Sequence, residues 1–238
     1  LLYWAAAKTG IVIVPGSPLL QESGLITLLR DSDTVIVFAD AEFADTLDKI
    51  KNDLPEIQNS YWIIRGESII ASGFTAYLDF ISESSIDEPP DAELTDDDVY
   101  NIMYSSGTTG APKGIVHTHY VRANYCTHFA SAWRMTPESI VLHAGAIVFN
   151  GAMLDLMPWM FLGATYILHH YFDAGAVLHA IIKEKVTHMV MVPSQIIALL
   201  NHPDFEPEKL RSLEMLQNVG APLLLEYKHK LNEVLPGI

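Results

Sequence analysis

The sequence is poor in cysteine and in positive charge. Cys126 stands alone among 238 residues, so no intramolecular disulfide can form and a disulfide-stapled fold is excluded. A chain without disulfides fits a reducing compartment, and the cytoplasm is the expected location. Lys and Arg total 14 against 29 Asp and Glu, for a formal net charge of −15. That balance argues against a general binder of nucleic acid or anionic membrane. Long hydrophobic runs are missing too. Residues 139–172 hold a single Lys, Arg, Asp or Glu, namely Asp155, which leaves uncharged runs of 16 and 17 residues. Both are shorter than the ~20 residues that span a bilayer, and Asn150, Gly151, Pro158, Gly163, His169 and His170 interrupt them. This stretch reads as a buried helix followed by a buried strand, not as a transmembrane segment.

What is present is apolar. Half of the residues are hydrophobic and 18% are charged, which excludes a disordered chain. The length corresponds to one large domain or two small ones, enough to bury a core. Residues 1–7 are apolar and helix-like, with neither the basic n-region nor the cleavage site of a signal peptide. The chain lacks an initiator Met and stops directly after an apparent helix, so both ends predict a fragment of a longer protein.

Apolar, β-rich runs alternate with helical patterns. The runs at 11–14, 34–38, 61–64, 100–104, 115–117, 140–142, 165–168, 189–192 and 215–219 read as strands buried on both faces. Helical patterns fall at 20–30, 42–52, 120–133, 151–162, 175–185, 194–201 and 224–234. The alternation predicts an α/β fold of layered, mostly parallel sheets flanked by helices. Residues 82–98 break it with eight acids, no Lys or Arg, and Pro89-Pro90. They read as a solvated acidic linker between part of a first α/β subdomain, 1–81, and a second, 99–238. Asp96-Asp97-Asp98 reads as solvated surface, not as a metal site.

One loop carries chemistry. After the apolar run at 100–104 comes Ser105-Ser106-Gly107-Thr108-Thr109-Gly110-Ala111-Pro112-Lys113-Gly114. Glycines let backbone N–H groups turn toward a ligand, hydroxyls add short donors, and Lys113 adds a point charge. A polyphosphate needs this combination. The spacing is not that of the nucleotide-binding P-loop, and a strand follows at once, so a hairpin-like loop over phosphates is expected. On composition alone, a ligand-free Gly/Ser/Thr connector competes with that reading.

The stretch from Tyr104 to Gly114, with Ile115-Val116-His117-Thr118-His119 after it, resembles the signature loop of the adenylate-forming superfamily. Three weaker resemblances follow in order. They are Ala7-Lys8-Thr9-Gly10 with Val14-Pro15, then Val192-Pro193-Ser194 on to Pro203, then Val219-Gly220-Ala221-Pro222-Leu223. Within the superfamily the chain looks most like the fatty-acyl-CoA ligases, covering about the middle of their large N-terminal domain.

The resemblance implies a two-step ligase that uses ATP, Mg2+ and coenzyme A on a small carboxylic acid. It places Ser106, Gly107, Thr108, Thr109, Gly110 and catalytic Lys113 on the β and γ phosphates. Ser105 takes the place of a Thr that helps ligate Mg2+. Gly220, Ala221 and Pro222 would lie against adenine and the start of the acyl pocket, with Val148, Phe149 and Gly151 bordering that pocket. Val148 stands where many members carry His. The Mg2+ carboxylate, the hinge and the C-terminal domain with its catalytic Lys are expected outside this chain, as is the N-terminal segment, which makes the chain alone inactive. A homodimer is compatible with the sequence.

Other readings stay open. A non-catalytic nucleotide-binding fragment is one. A Ser-Ser-Lys amidase built from Ser105, Ser106 and Lys113 is another, although the order of the loop does not match it. His117, His119, His169 and His170 have no Cys or carboxylate at ligand spacing and are not read as a metal site. Trp133, Trp159, Phe149 and Phe161 serve equally as core or as acyl-pocket wall. Asp155 decides the acid class. Facing the pocket, it would meet an amino acid's ammonium group; facing away, it leaves an apolar fatty or alicyclic acid as the expected substrate.

Overall fold

A computed structural model describes residues 1–66, 73–105 and 113–238. They divide into two units, Leu1–His119 and Tyr120–Ile238.

The first unit opens with helix α1 (Leu2–Thr9), which stops because Gly10 takes the left-handed conformation, φ 75°, and returns its N–H to Ala6. Helix α2 (Glu22–Asp31), strand β1 (Val37–Asp40), helix α3 (Ala44–Ile50), strand β2 (Trp62–Arg65), strand β3 (Thr75–Ala76) and helix α4 (Tyr77–Ile81) follow. The three strands pair in parallel in the order β1-β2-β3. Leu28 and Leu29 of α2 and Leu47 and Ile50 of α3 pack with Leu54, Ile57, Trp62 and Ile64 into one core. The helix expected at 42–52 is broken, because short 3-10 turns at Ala41–Phe43 and Lys51–Asp53 flank α3.

The acidic stretch at 82–98 has no helix or strand and is exposed except at half-buried Pro89 and Leu94. It runs back along the start of the chain. Glu88 pairs with Lys8, and Leu94 lies against Gly10, where an added Cβ would come within 3.0 Å. Strands β4 (Val99–Ser105) and β5 (Lys113–Thr118) then form an antiparallel hairpin. The strand expected at 11–14 is reduced to one parallel bridge, Ile13 to Asn101. Ile13 donates to Tyr100 at 3.2 Å and accepts from Ile102 at 2.9 Å, which ties the hairpin to the start of the chain.

Helix α5 begins as β5 ends (His119–Ala132). The second unit continues with β6 (Ile140–Ala144), α6 (Asn150–Leu162), β7 (Thr165–His169), α7 (Ala174–Glu184), β8 (His188–Met191), α8 (Pro193–Leu200), β9 (Met215–Asn218) and α9 (Leu225–Val234). All four strands are parallel, in the order β7-β6-β8-β9. Helix starts and stops follow local chemistry. Asp173 caps α7 by accepting from Ala176 N–H at 2.7 Å, Pro193 opens α8, and Gly163 ends α6 at φ 69°.

The core gathers Leu142, Val177, Ile181, Met189, Met191, Ile196 and Leu199 around β6 and β8. Strand β8 is buried along its whole length. Strand β7 was expected to be equally buried and is not: it is an edge strand, and Leu168 is 49% exposed. Helix α6 keeps the expected burial at Ala152, Met153, Leu156, Met157 and Pro158. Among the described residues no helix is long and apolar enough to cross a membrane.

Candidate active site

Two structures carry the residues singled out from the sequence, one in each unit. In the first, the β4–β5 hairpin pairs Ile102 with Val116, Met103 with Ile115, Tyr104 with Gly114 and Ser105 with Lys113. Directly opposed residues of an antiparallel pair share a face, with Cβ atoms about 4.5–5.5 Å apart. The exposed Ser105 hydroxyl and Lys113 ammonium therefore rise from the same side of the hairpin end. Gly114 has to be small. A Cβ there would meet Ile102 Cγ2 at 2.9 Å and Tyr104 Cζ at 3.1 Å. Tyr104 Oη donates to Asp31 Oδ2 at 2.5 Å. Burial and the neighbouring Asp31 carboxylate push the Tyr104 phenol well above its ordinary range, so it remains a donor. Ser106, Gly107, Thr108, Thr109 and Gly110 lie outside the described residues.

In the second unit, strand order reverses between β6 and β8, with β7 outside one and β9 outside the other. Ligands of open parallel sheets bind at the carboxyl ends of strands beside such a reversal. Three of the predicted segments come to that end: residues 145–151 after β6, Val192 after β8, and residues 219–222 after β9. Gln195 ties them together, accepting from Val192 N–H at 3.0 Å and donating to the Ala144 carbonyl at 3.0 Å. Val219 N–H reaches the Met191 carbonyl at 2.9 Å. Gly151 sits against Val219 and Gly220 against Val192, each 3.4 Å from where a Cβ would stand. Gly220 also has φ +83°, which disfavours any side chain.

Gly220, Ala221 and Pro222 are exposed, and Asn218 Nδ2 donates to the Ala221 carbonyl at 2.8 Å. Asn218 Oδ1 is buried with no hydrogen-bond partner. Val148 and Gly151 are half-buried and Phe149 is 47% exposed. Buried Arg122 holds the start of α6 by donating to Asn150 Oδ1 at 2.9 Å, and Asn150 Nδ2 donates to Tyr125 Oη at 3.2 Å.

Sequence reasoning missed what Asp155 does. It faces neither solvent nor an open pocket. It is 1% exposed, with His143 Nδ1 at 3.2 Å from Oδ2 and Tyr166 Oη donating to Oδ1 at 3.1 Å. Desolvation raises its pKa, and the hydrogen bonds from His143 and Tyr166 pull the other way. A lone acid in an apolar stretch was the only sequence signal for this cluster. A groove of about 720 Å3 lies elsewhere, between β7 and α7, beside Tyr166, His169, His179 and Lys183. It holds none of the residues expected to meet nucleotide or acid.

The profile of the family described as AMP-binding enzyme matches residues 1–238. A feruloyl-CoA synthase of Amycolatopsis is 38% identical over 143 residues, 59% of this chain and 29% of the relative. A long-chain-fatty-acid–CoA ligase of Mycobacterium tuberculosis is 29% identical over 241 residues, 99% of this chain and 46% of the relative. The chain thus spans less than half the length of both. The inhibitor-bound crystal structure of the N-terminal domain of a Mycobacterium tuberculosis protein, FACL13, superposes with TM-score 0.79 at 25% identity, covering 95% of this chain and 55% of that one. The family match over residues 1–238 places this chain in the family of AMP-binding enzymes.

Proposed function

We propose that the longer protein to which this chain belongs activates an apolar carboxylic acid with ATP and passes the acyl group to coenzyme A. The observation that carries this reading is the pairing of Ser105 with Lys113 at the hairpin end. An exposed hydroxyl and an exposed ammonium on one face form a donor set suited to a polyphosphate and its hydrated Mg2+. When bound, Mg2+ would neutralise part of the phosphate charge.

Ser105 is assigned the metal side and Lys113 the leaving pyrophosphate. Ser106, Gly107, Thr108, Thr109 and Gly110 supply the remaining phosphate donors by their resemblance to the family loop. In the first step a carboxylate oxygen attacks the α-phosphorus and pyrophosphate leaves, giving an acyl-adenylate. In the second, the thiolate of coenzyme A attacks the acyl carbon and AMP leaves with that oxygen. Lys113 offsets charge that develops on the departing pyrophosphate, which is where a fixed donor accelerates most. Gly220, Ala221 and Pro222 are assigned to the adenine side.

The acid is read as apolar, fatty or alicyclic. Asp155 is consumed by His143 and Tyr166 and cannot meet an ammonium group, while Val148, Phe149 and Gly151 offer apolar surface at the sheet end. Such a wall favours an alkyl chain by about 0.8 kcal/mol per buried CH2. Of the relatives above, one is named a long-chain-fatty-acid–CoA ligase and the other a feruloyl-CoA synthase. The 238-residue chain alone is proposed to form no thioester. The amidase reading has no support in the family match, and a non-catalytic nucleotide-binding role is separated from the ligase by product formation. ATP–pyrophosphate exchange by the full-length protein, run with acids from acetate upward, tests the substrate. Exchange that rises toward longer or cyclic acids is expected; a preference for acetate or amino acids overturns the assignment.

A further inference from the structure

Tyr104 touches the first unit's core, helix α2 and the facing hairpin strand at once. Its ring is half-buried against the first unit's core, and its Cζ lies 3.1 Å from where a Cβ of Gly114 would stand. Its hydroxyl donates to Asp31 Oδ2, at the carboxyl end of α2, at 2.5 Å. It is also the residue before Ser105, paired with the residue after Lys113. An antiparallel ladder alone leaves a hairpin end free to twist, because only two strands hold it. A side chain anchored to a helix removes that freedom for both strands at once.

We propose that Tyr104, through its hydrogen bond to Asp31, is a positioning residue that fixes the Ser105–Lys113 pair for the phosphates of ATP. This rests on the nucleotide reading of that pair. Tyr104 touches no substrate. It acts by holding a donor and a cation at one spacing before ATP arrives, so that their ordering is not charged against binding. Gly114 is the complement of the device, since a side chain there would displace the Tyr104 ring and Ile102.

The test is ATP–pyrophosphate exchange by the full-length protein carrying Tyr104→Phe, Asp31→Ala, both, or Asp31→Asn. Removing a hydrogen bond to a charged acceptor should raise KM for ATP about tenfold in Tyr104→Phe and in Asp31→Ala. KM for the acid should stay within about twofold, a change too small to reflect a lost contact. The double variant should be no worse than either single one, because both remove the same bond. Asp31→Asn keeps a carbonyl oxygen to accept from Tyr104 and should recover most of the ATP affinity. Unchanged KM for ATP in Tyr104→Phe overturns the inference, as does an equal rise in both KM values, which marks a general loss of structure. Absence of exchange in the wild-type protein with any acid overturns the nucleotide reading itself, and the inference with it. Exchange in the wild type with no response to these variants overturns the inference alone.

Discussion

Ser105 and Lys113 face each other as the last pair of the β4–β5 hairpin, so two residues eight apart in sequence reach one face. That pairing assigns Lys113 a fixed starting position. In the full-length protein Lys113→Ala should slow adenylate formation by about 10²–10³, the usual effect of removing one donor aimed at developing charge. ATP–pyrophosphate exchange at saturating ATP checks it, and an unchanged rate removes Lys113 from the chemistry.

Gly114→Ala should be worse than its size suggests. The new methyl would stand 2.9 Å from Ile102 Cγ2 and 3.1 Å from the Tyr104 ring. Overpacking of this kind costs about 1–3 kcal/mol. Urea denaturation of the chain should show the loss, and an unchanged midpoint would mean that β5 accommodates the methyl by moving away.

The buried His143–Asp155 pair makes two predictions about stability. Asp155→Ala leaves His143 and Tyr166 without their shared acceptor and should destabilise the fold by about 1–3 kcal/mol for each donor left unsatisfied. The second concerns pH. Burial raises the Asp155 pKa in the folded chain, so the native state holds this proton more tightly than the unfolded state. Stability then falls as pH climbs from the ordinary carboxylate value, about 3.9, through the raised one. Asp155→Asn has no such titration. Wild-type stability measured against that variant should decline over this window, and a difference that is flat or increasing contradicts the direction.

Much of this was legible in the sequence, for identifiable reasons. The strands at 140–142, 189–192 and 215–219 are short apolar runs bounded by turn residues, and β6, β8 and β9 fall on them within two residues at either end. The hairpin was legible because a Gly/Ser/Thr loop separates two β-rich runs. Strand β3 and helix α4 were missed, since a two-residue strand and a five-residue helix carry too few positions to show a period. Residues 11–14 look like a strand, but only Ile13 finds a partner. The site's chemistry-bearing loop announced itself through composition. Its supports did not: Tyr104 and Asp31 are 73 residues apart, and Asp155 meets His143 and Tyr166 only because α6 folds back over β6 and β7.

The second unit's sheet end supplies a further check. Gly220 needs φ +83° and lies against Val192, so Gly220→Val should impair both folding and ATP use. Replacing a glycine at positive φ by a β-branched residue costs about 1–3 kcal/mol. Comparing the melting midpoint with the KM for ATP in the full-length protein separates the two effects. A variant with wild-type values for both would remove Gly220 from the site.

The most direct measurement follows an oxygen atom. Full-length protein is supplied with ATP, coenzyme A and an apolar acid labelled with 18O in its carboxylate. Attack by the carboxylate on the α-phosphorus, then release of AMP by the thiol, should leave one labelled oxygen in the AMP phosphate and unlabelled pyrophosphate. Unlabelled AMP, or ADP in place of AMP and pyrophosphate, would contradict acid activation through an acyl-adenylate.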